Sequence, residues 1–169
     1  METSEAIRTR RCVREFTDDP PSDVEIDGLI EAARWAPSGL NNQPWRFMKI
    51  TDHSLIIELS GLTKYRGLVA GAPVLIAIFL DHAEMYDRTK DVQSAGAAIQ
   101  NILLDAHARG LGACWLGEIL NRREDAESLL QVSDDLELMA LVAVGHPVSR
   151  ERAGVRHQLD RFIVPPPER

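Results

Sequence analysis

Lysine and cysteine are scarce in this chain of 169 residues, and long hydrophobic runs are missing. The longest apolar run covers residues 72–80, far fewer than the roughly 20 residues that a membrane-spanning helix needs. The acidic N-terminus has no apolar segment typical of a secretory signal. We therefore expect a protein of the cytoplasm that does not associate with membranes.

Positive charge is also in deficit, because Lys and Arg total 19 against 26 Asp and Glu, a net charge of -7. Such a chain has no global attraction for nucleic acid, and we expect no nucleic-acid partner. Cys12 and Cys114 lie far apart in the sequence and form no metal-binding motif, so we expect two free thiols and no metal. The length and the 44% hydrophobic content predict one domain over residues 1–169.

Motifs of several common enzyme classes are absent as well. The chain has no GxSxG elbow, no HExxH pair and no P-loop. Gly110 and Gly112 follow a predicted helix and precede a predicted strand, which is the wrong order for a dinucleotide-binding fingerprint. The five histidines never stand at metal-ligand spacing. If the protein is an enzyme, we expect a cofactor to supply the reactive group.

The hydrophobic pattern predicts helices alternating with strands. Ser22 and Glu25 form a capping box that begins helix 22–36, and Gly110 ends the long helix 90–109. The order predicts an α+β or α/β protein with one sheet flanked by helices. The other predicted helices are 3–10, 52–60 and 122–132, and the predicted strands are 45–50, 72–80, 111–116 and 138–144.

Arginine is concentrated near the N-terminus, where four arginines fall within residues 8–14. Guanidinium groups bind phosphate oxygens in a bidentate manner. This segment is therefore either a local anion site in an acidic protein or the solvated face of a helix.

A second local feature is the run of small residues at 95–98 in the longest helix. It indicates either ordinary core packing or close contact with a second subunit.

Four segments in this order and spacing resemble the FMN-dependent nitroreductase family. The resemblance runs from about residue 4 to residue 163 and implies an α+β fold with a central mixed sheet flanked by helices. It also implies an obligate homodimer with FMN at the subunit interface. The segments are 10–16 (RRCVREF), 36–45 (APSGLNNQPW), 110–117 (GLGACWLG) and 142–147 (VAVGHP), with Arg156 beyond the last.

The resemblance implies that basic residues hold the phosphate and the polar edge of FMN. Arg10 and Arg11 match the positions with these roles. Arg14 matches a further basic position, and Arg156 matches a late basic residue that reaches the phosphate. Cys12 stands among them, at a position where the family usually has serine. A thiol is a weak hydrogen-bond donor, and the nearby arginines could also lower its pKa and make it reactive.

Two further groups of FMN contacts are implied by the resemblance. Pro37, Ser38 and Asn41 match a loop that contacts FMN from the partner subunit. Leu116 and Gly117 match a turn whose backbone N–H faces the flavin N5 atom.

A departure from the family pattern lies at residues 63–67, before the buried strand, where many members have Asn or Gln. Either Tyr65 or Arg66 could hold the flavin pyrimidine edge in their place, and both remain open. For Trp45 and Trp115 we expect core packing rather than stacking on a ligand.

The activity implied by the resemblance is that of an NAD(P)H-dependent FMN oxidoreductase. It would reduce nitroaromatics, quinones or similar electron-poor small molecules by a ping-pong mechanism, with no catalytic side chain and the chemistry at flavin N5. Two alternatives stay open: another reaction on the same scaffold, such as reductive dehalogenation or flavin fragmentation, and a non-catalytic FMN-binding dimer. The sequence does not indicate a preference between NADH and NADPH.

Overall fold

A computed structural model describes residues 1–149 and 154–167 of the chain. Within these ranges the strands are β1 (Trp45–Ile50), β2 (Val74–Asp81), β3 (Gly112–Leu116) and β4 (Leu136–Gly145). The α-helices are α1 (Thr3–Thr9), α2 (Asp23–Arg34), α3 (His53–Ser60), α4 (Arg66–Ala70), α5 (Arg88–Arg109) and α6 (Arg123–Leu130). Short 3₁₀ helices cover Gly39–Asn41, Gly117–Arg122 and Leu159–Phe162.

The strands form one sheet in the order β1-β2-β4-β3, and every pairing among the described residues is antiparallel. The α+β class and the central sheet flanked by helices are confirmed, whereas the expected mixed pairing is not present. The physical reason is the position of β4. Helix α5 carries the chain from β2 to β3, which run in the same direction, and β4 inserts between them antiparallel to both.

Both faces of the sheet are covered, as the apolar β2 predicts. One face carries Ile76 and Ile78 of β2 and packs against α2 and α5. The opposite face carries Leu75 and Phe79 and packs against α3, α4 and α6. The side chains alternate between the two faces because successive residues of a strand point in opposite directions.

The helix ends follow their local chemistry. The Ser22–Glu25 capping box at the start of α2 is confirmed. Helix α5 begins before its predicted start because the Asp87 side chain accepts a hydrogen bond from the Lys90 amide. It ends at Gly110, whose φ of 85° is the left-handed conformation that glycine adopts without a steric penalty. The short helix α4 and the 3₁₀ turn Gly117–Arg122 were not predicted.

Residues 154–167 form an exposed arm. Several large apolar side chains of this arm face solvent, among them Val155, Phe162 and Val164. Among the described residues, no helix combines the length and the apolar character that crossing a bilayer requires.

Candidate functional site

The arginine-rich N-terminal segment lies beside the edge strand β3. The Val13 amide donates a hydrogen bond of 3.1 Å to the Ala113 carbonyl, and the Thr17 amide donates one of 2.9 Å to the His146 carbonyl. Gly112 permits this close approach, because a Cβ atom there would fall 2.7 Å from the Val13 Cγ1 atom. The sequence therefore fixes the segment against the sheet through backbone contacts rather than through its charges.

A cleft of about 200 Å³ opens between this segment, helix α4 and the end of β3. It brings together four residues that the sequence analysis assigned to cofactor binding. Tyr65 also lines the cleft and Arg66 does not, so the geometry favours Tyr65 of the two open candidates. The lining residues are Cys12, Arg14, Tyr65, Leu68, Cys114, Trp115, Leu116, Gly117 and Glu118.

The N-terminal arginines give this region unbalanced positive charge. None of the ion pairs between described residues involves Arg10, Arg11 or Arg14. The Arg10 Nη1 atom lies 3.9 Å from the Cys12 sulfur and donates to it. Of the three, Arg14 lines the cleft, together with Glu118, and a guanidinium group without an ion-pair partner favours a ligand that carries an anionic group.

Cys12 and Cys114 both line the cleft, although the sequence separates them widely. A hydrogen bond from Cys114 lowers the pKa of Cys12 to about 5; burial opposes this shift, and Arg10 and Arg14 add to it. The same contact and its own burial raise the pKa of Cys114. Both cysteines are free thiols, as expected. The surroundings therefore favour the thiolate form of Cys12 and the protonated form of Cys114.

Glu118 fixes the segment that carries Tyr65 at one side of the cleft. This role was not predicted from the sequence. Its carboxylate accepts hydrogen bonds from the Thr63 hydroxyl and, at 3.2 Å, from the Lys64 amide. The Thr63 hydroxyl oxygen in turn accepts from the Tyr65 amide at 3.2 Å. The Thr63 hydrogen bond lowers the pKa of Glu118 below its ordinary value. No local pattern indicates these contacts, because they join residues about 55 positions apart.

The end of β3 supplies backbone donors to the cleft. Leu116 is the last residue of the strand, and a 3₁₀ helix begins at Gly117. The first amide groups of a helix have no partner within the helix, so they are available to a ligand. Trp115, next to them, is 40% exposed, contrary to the expected core packing, whereas Trp45 is 5% exposed and belongs to the core.

Arg11 points away from the cleft. With Val13 it lines a small crevice on the α5 side of the segment, because Arg11 and Val13 alternate with Cys12 and Arg14 along the chain. Its Nη1 atom donates to the Arg8 and Arg10 carbonyls at 2.7 and 2.8 Å. Its Nε atom is buried without a hydrogen-bond partner among the described residues.

The remaining predicted residues lie outside the cleft of their own chain. Pro37 and Ser38 line a separate depression beside the first half of α5. Asn41 is exposed, in the left-handed conformation with φ of 57°. Arg156 lies in the exposed arm and donates to the carbonyl of Val155. One chain alone therefore assembles only part of the predicted set.

The loop with Pro37, Ser38 and Asn41 is nevertheless well anchored. Asn42 donates hydrogen bonds of 2.8 Å to the Glu84 carbonyl and 2.9 Å to the Asp91 carboxylate. Burial alone would raise the pKa of Asp91, but hydrogen bonds from Asn42 and from the Asp87 and Tyr86 amides bring it below its ordinary value. The loop is thus tied to a buried, charged carboxylate at the start of α5.

The fold and the cleft define an α+β protein with a ligand cleft at the edge of its sheet. Comparison with known proteins makes this class specific, because the family model described as "Nitroreductase family" matches residues 7–64 and 52–146. The chain belongs to the nitroreductase family.

Individual relatives agree with this assignment. The chain is 31% identical to a "Putative NADH dehydrogenase/NAD(P)H nitroreductase" of Methanothermobacter thermautotrophicus, over 95% of this chain and 84% of the relative. It is 27% identical to "FMN reductase (NADPH)" of Bacillus subtilis, over 87% of this chain and 66% of the relative. A crystal structure from Desulfovibrio desulfuricans, of "a putative nitroreductase in complex with fmn", superposes with a TM-score of 0.93 at 43% identity. That comparison covers 99% of this chain and 98% of the other.

Proposed function

We propose that this chain is an FMN-dependent oxidoreductase that takes hydride from NAD(P)H and reduces nitroaromatics, quinones or similar electron-poor acceptors in a ping-pong scheme. The observation that carries the proposal is the cleft, in which Arg14, Tyr65 and the amide end at Gly117 converge. The similarity to proteins described as FMN-bound or as FMN reductases supports the choice of cofactor.

The residues present suit a planar ligand with a phosphate. The guanidinium groups of Arg10 and Arg14 have no carboxylate partner among the described residues. Each hydrogen bond from such a cation to phosphate contributes about 1.5–3 kcal/mol. Leu68 and Leu116 supply apolar walls, and Tyr65 a ring, on which an aromatic system can lie.

Bound FMN would supply the redox chemistry, and the chain would supply binding, orientation and electrostatics. Arg14 would place positive charge near the polar edge of the ligand. The Gly117 amide, at the start of its 3₁₀ helix, would donate a hydrogen bond that no side-chain substitution removes. Glu118 acts indirectly, by fixing Thr63 and Lys64 and so the position of Tyr65.

We further propose that the active form is a homodimer. The cleft measures about 200 Å³ in one chain, below the roughly 300–1,000 Å³ of sites that enclose a ligand of this size. Pro37, Ser38 and Asn41 of a second copy would supply the missing wall. We also propose that residues 1–169 act as one FMN-binding domain and that the protein works in the cytoplasm.

The test compares FMN binding by the full-length protein and by Arg14→Ala, measured by flavin fluorescence. Loss of one charge-assisted contact predicts affinity weaker by about tenfold or more. Arg34→Ala is the matched control, because Arg34 pairs with Glu31 on the exposed side of α2, and its affinity should not change. Equal FMN affinity of Arg14→Ala and the unaltered protein would contradict the assignment.

Reduction of bound FMN is tested anaerobically with NADH and with NADPH. Bleaching of the flavin absorbance by either one, followed by reoxidation with a nitroaromatic or a quinone, is the expected result. Bound flavin that neither nicotinamide reduces would refute the proposed reaction and would favour another reaction on this scaffold or a non-catalytic dimer. Sedimentation of the FMN-bound protein as a monomer would refute the shared site.

A further inference from the structure

Cys12 and Cys114 form a two-thiol cluster for which the proposed function has no use. The backbone hydrogen bond of 3.1 Å between Val13 and Ala113 joins their neighbours in the chain. Val13 and Ala113 point to the α5 side of this junction and line the crevice there. Cys12 and Cys114 point to the opposite side, where both belong to the second core layer and both line the cleft.

The two thiols differ in surroundings as a reactive and a resolving cysteine do. Cys12 is half-buried and Cys114 is buried. The Arg10 guanidinium lies 3.9 Å from the Cys12 sulfur, and Arg14 lines the same cleft. The Cys114 sulfur lies 4.0 Å from the Trp115 carbonyl oxygen. Positive charge stabilises a thiolate, and the thiolate is the form that attacks peroxides.

We propose that Cys12 and Cys114 form a thiol site for hydrogen peroxide, with Cys12 as the attacking residue and Cys114 as the resolving one. The Cys12 thiolate attacks one peroxide oxygen; the S–O bond forms, the O–O bond breaks, and the departing hydroxide takes a proton from solvent to become water. The Cys114 sulfur then attacks the Cys12 sulfenic acid. The S–S bond forms, the S–O bond breaks, and the Cys114 thiol proton leaves with the hydroxide as a second water.

The oxidation balances with the peroxide as its two-electron oxidant. The sulfur pair loses two electrons to the peroxide, and an external thiol returns the disulfide to the dithiol. The low pKa of Cys12, about 5, agrees with its role as the attacking thiolate at neutral pH. A cysteine pair with only a structural role would not react with peroxide, because a buried thiol without a cationic neighbour is inert.

The site is tested on the full-length protein, reduced, freed of reductant and treated with equimolar hydrogen peroxide, with and without FMN. The expected product has lost two hydrogens in its intact mass, shows no titratable thiol, and regains both thiols with dithiothreitol. Peptide mapping without reduction should join the peptides of Cys12 and Cys114 within one chain. Dimedone should label Cys12 in Cys114→Ser, whereas Cys114 in Cys12→Ser should stay reduced.

Persistence of both thiols, a disulfide between two chains, or first oxidation at Cys114 would each overturn the proposal. Circular dichroism and thermal unfolding confirm that each variant is folded, and Cys114→Ala replaces Cys114→Ser if the buried serine prevents folding. The reaction needs no flavin, so its outcome in the FMN-free protein is separate from the FMN-binding test of the proposed function.

Discussion

Replacing Asp91 by asparagine tests how the loop with Pro37, Ser38 and Asn41 is anchored to helix α5. Asp91 is 0% exposed, in the first turn of α5. One carboxylate oxygen accepts from the Asn42 side chain at 2.9 Å, and the other accepts from the Tyr86 and Asp87 amides, both at 3.0 Å. A carboxylate meets all three donors, because it offers only acceptors.

The asparagine variant cannot reproduce this arrangement. It offers one oxygen and one NH₂ group, so its NH₂ group must face either the two amides or the Asn42 side-chain amide. If Asn42 turned its own amide to compensate, it would lose its hydrogen bond of 2.8 Å to the Glu84 carbonyl. Each lost hydrogen bond to a charged group costs about 1.5–3 kcal/mol. We therefore expect Asp91→Asn to lower the free energy of unfolding by about 2–3 kcal/mol.

The assay is urea unfolding followed by circular dichroism, at neutral and at acidic pH. Hydrogen bonds from Asn42 and from the Asp87 and Tyr86 amides outweigh burial and hold the pKa of Asp91 below its ordinary value. The stability it contributes is thus present above its unfolded pKa and is lost as pH falls through the lower folded pKa. The difference between the two proteins should shrink in acid.

Asp105→Asn is the control for this experiment, because Asp105 lies on the same helix and pairs with Arg109 at 2.6 Å at the surface. It should change stability by less than about 1 kcal/mol. If Asp91→Asn also stayed within that range at neutral pH, the hydrogen-bond reasoning would be wrong.

Three further predictions concern other parts of the chain. Glu137→Gln should lower the free energy of unfolding by about 2 kcal/mol in neutral urea titrations, because the buried Glu137 holds Arg88 and Arg123 at 2.6 Å each; an unchanged midpoint would contradict this. Gly110→Ala should cost about 1 kcal/mol and lower the Tm, since φ there is 85°. The iodoacetamide reaction of Cys12 should rise with pH around a midpoint near its pKa of about 5; a midpoint near that of a free thiol, about 8.5, would exclude the thiolate.

Much of the fold was predictable because its signals are local. The Ser22–Glu25 capping box, the apolar run of β2 and the glycine after α5 act through neighbours in the sequence. Strand pairing is not local in this sense. The insertion of β4 between β2 and β3 follows from the packing of the whole sheet, so the antiparallel pairing could not be predicted from the alternation of helices and strands.

In the candidate site, too, only the features that depend on local sequence were predictable. Motif spacing pointed to Cys12, Arg14 and Gly117, which the structure brings into one cleft. It gave no sign of the contact between Cys12 and Cys114, because that contact depends on the backbone bond between the N-terminal segment and β3. The exposure of Trp115 was not predicted, since the sequence does not reveal which side chains on a sheet face the helices leave uncovered.

The late position of β4 in the chain affects how the protein emerges during synthesis. Strand β3 pairs only with β4 among the described strands, and Phe16 and Thr17 pair with residues 146–147, just beyond it. A nascent chain that has not yet extended past residue 147 can already pair Val13 with Ala113, but it lacks the partners of Phe16 and Thr17. Ribosome-bound or prematurely terminated products would expose an open strand edge, and the N-terminal segment would be fully fixed only after residues 146 and 147 have emerged.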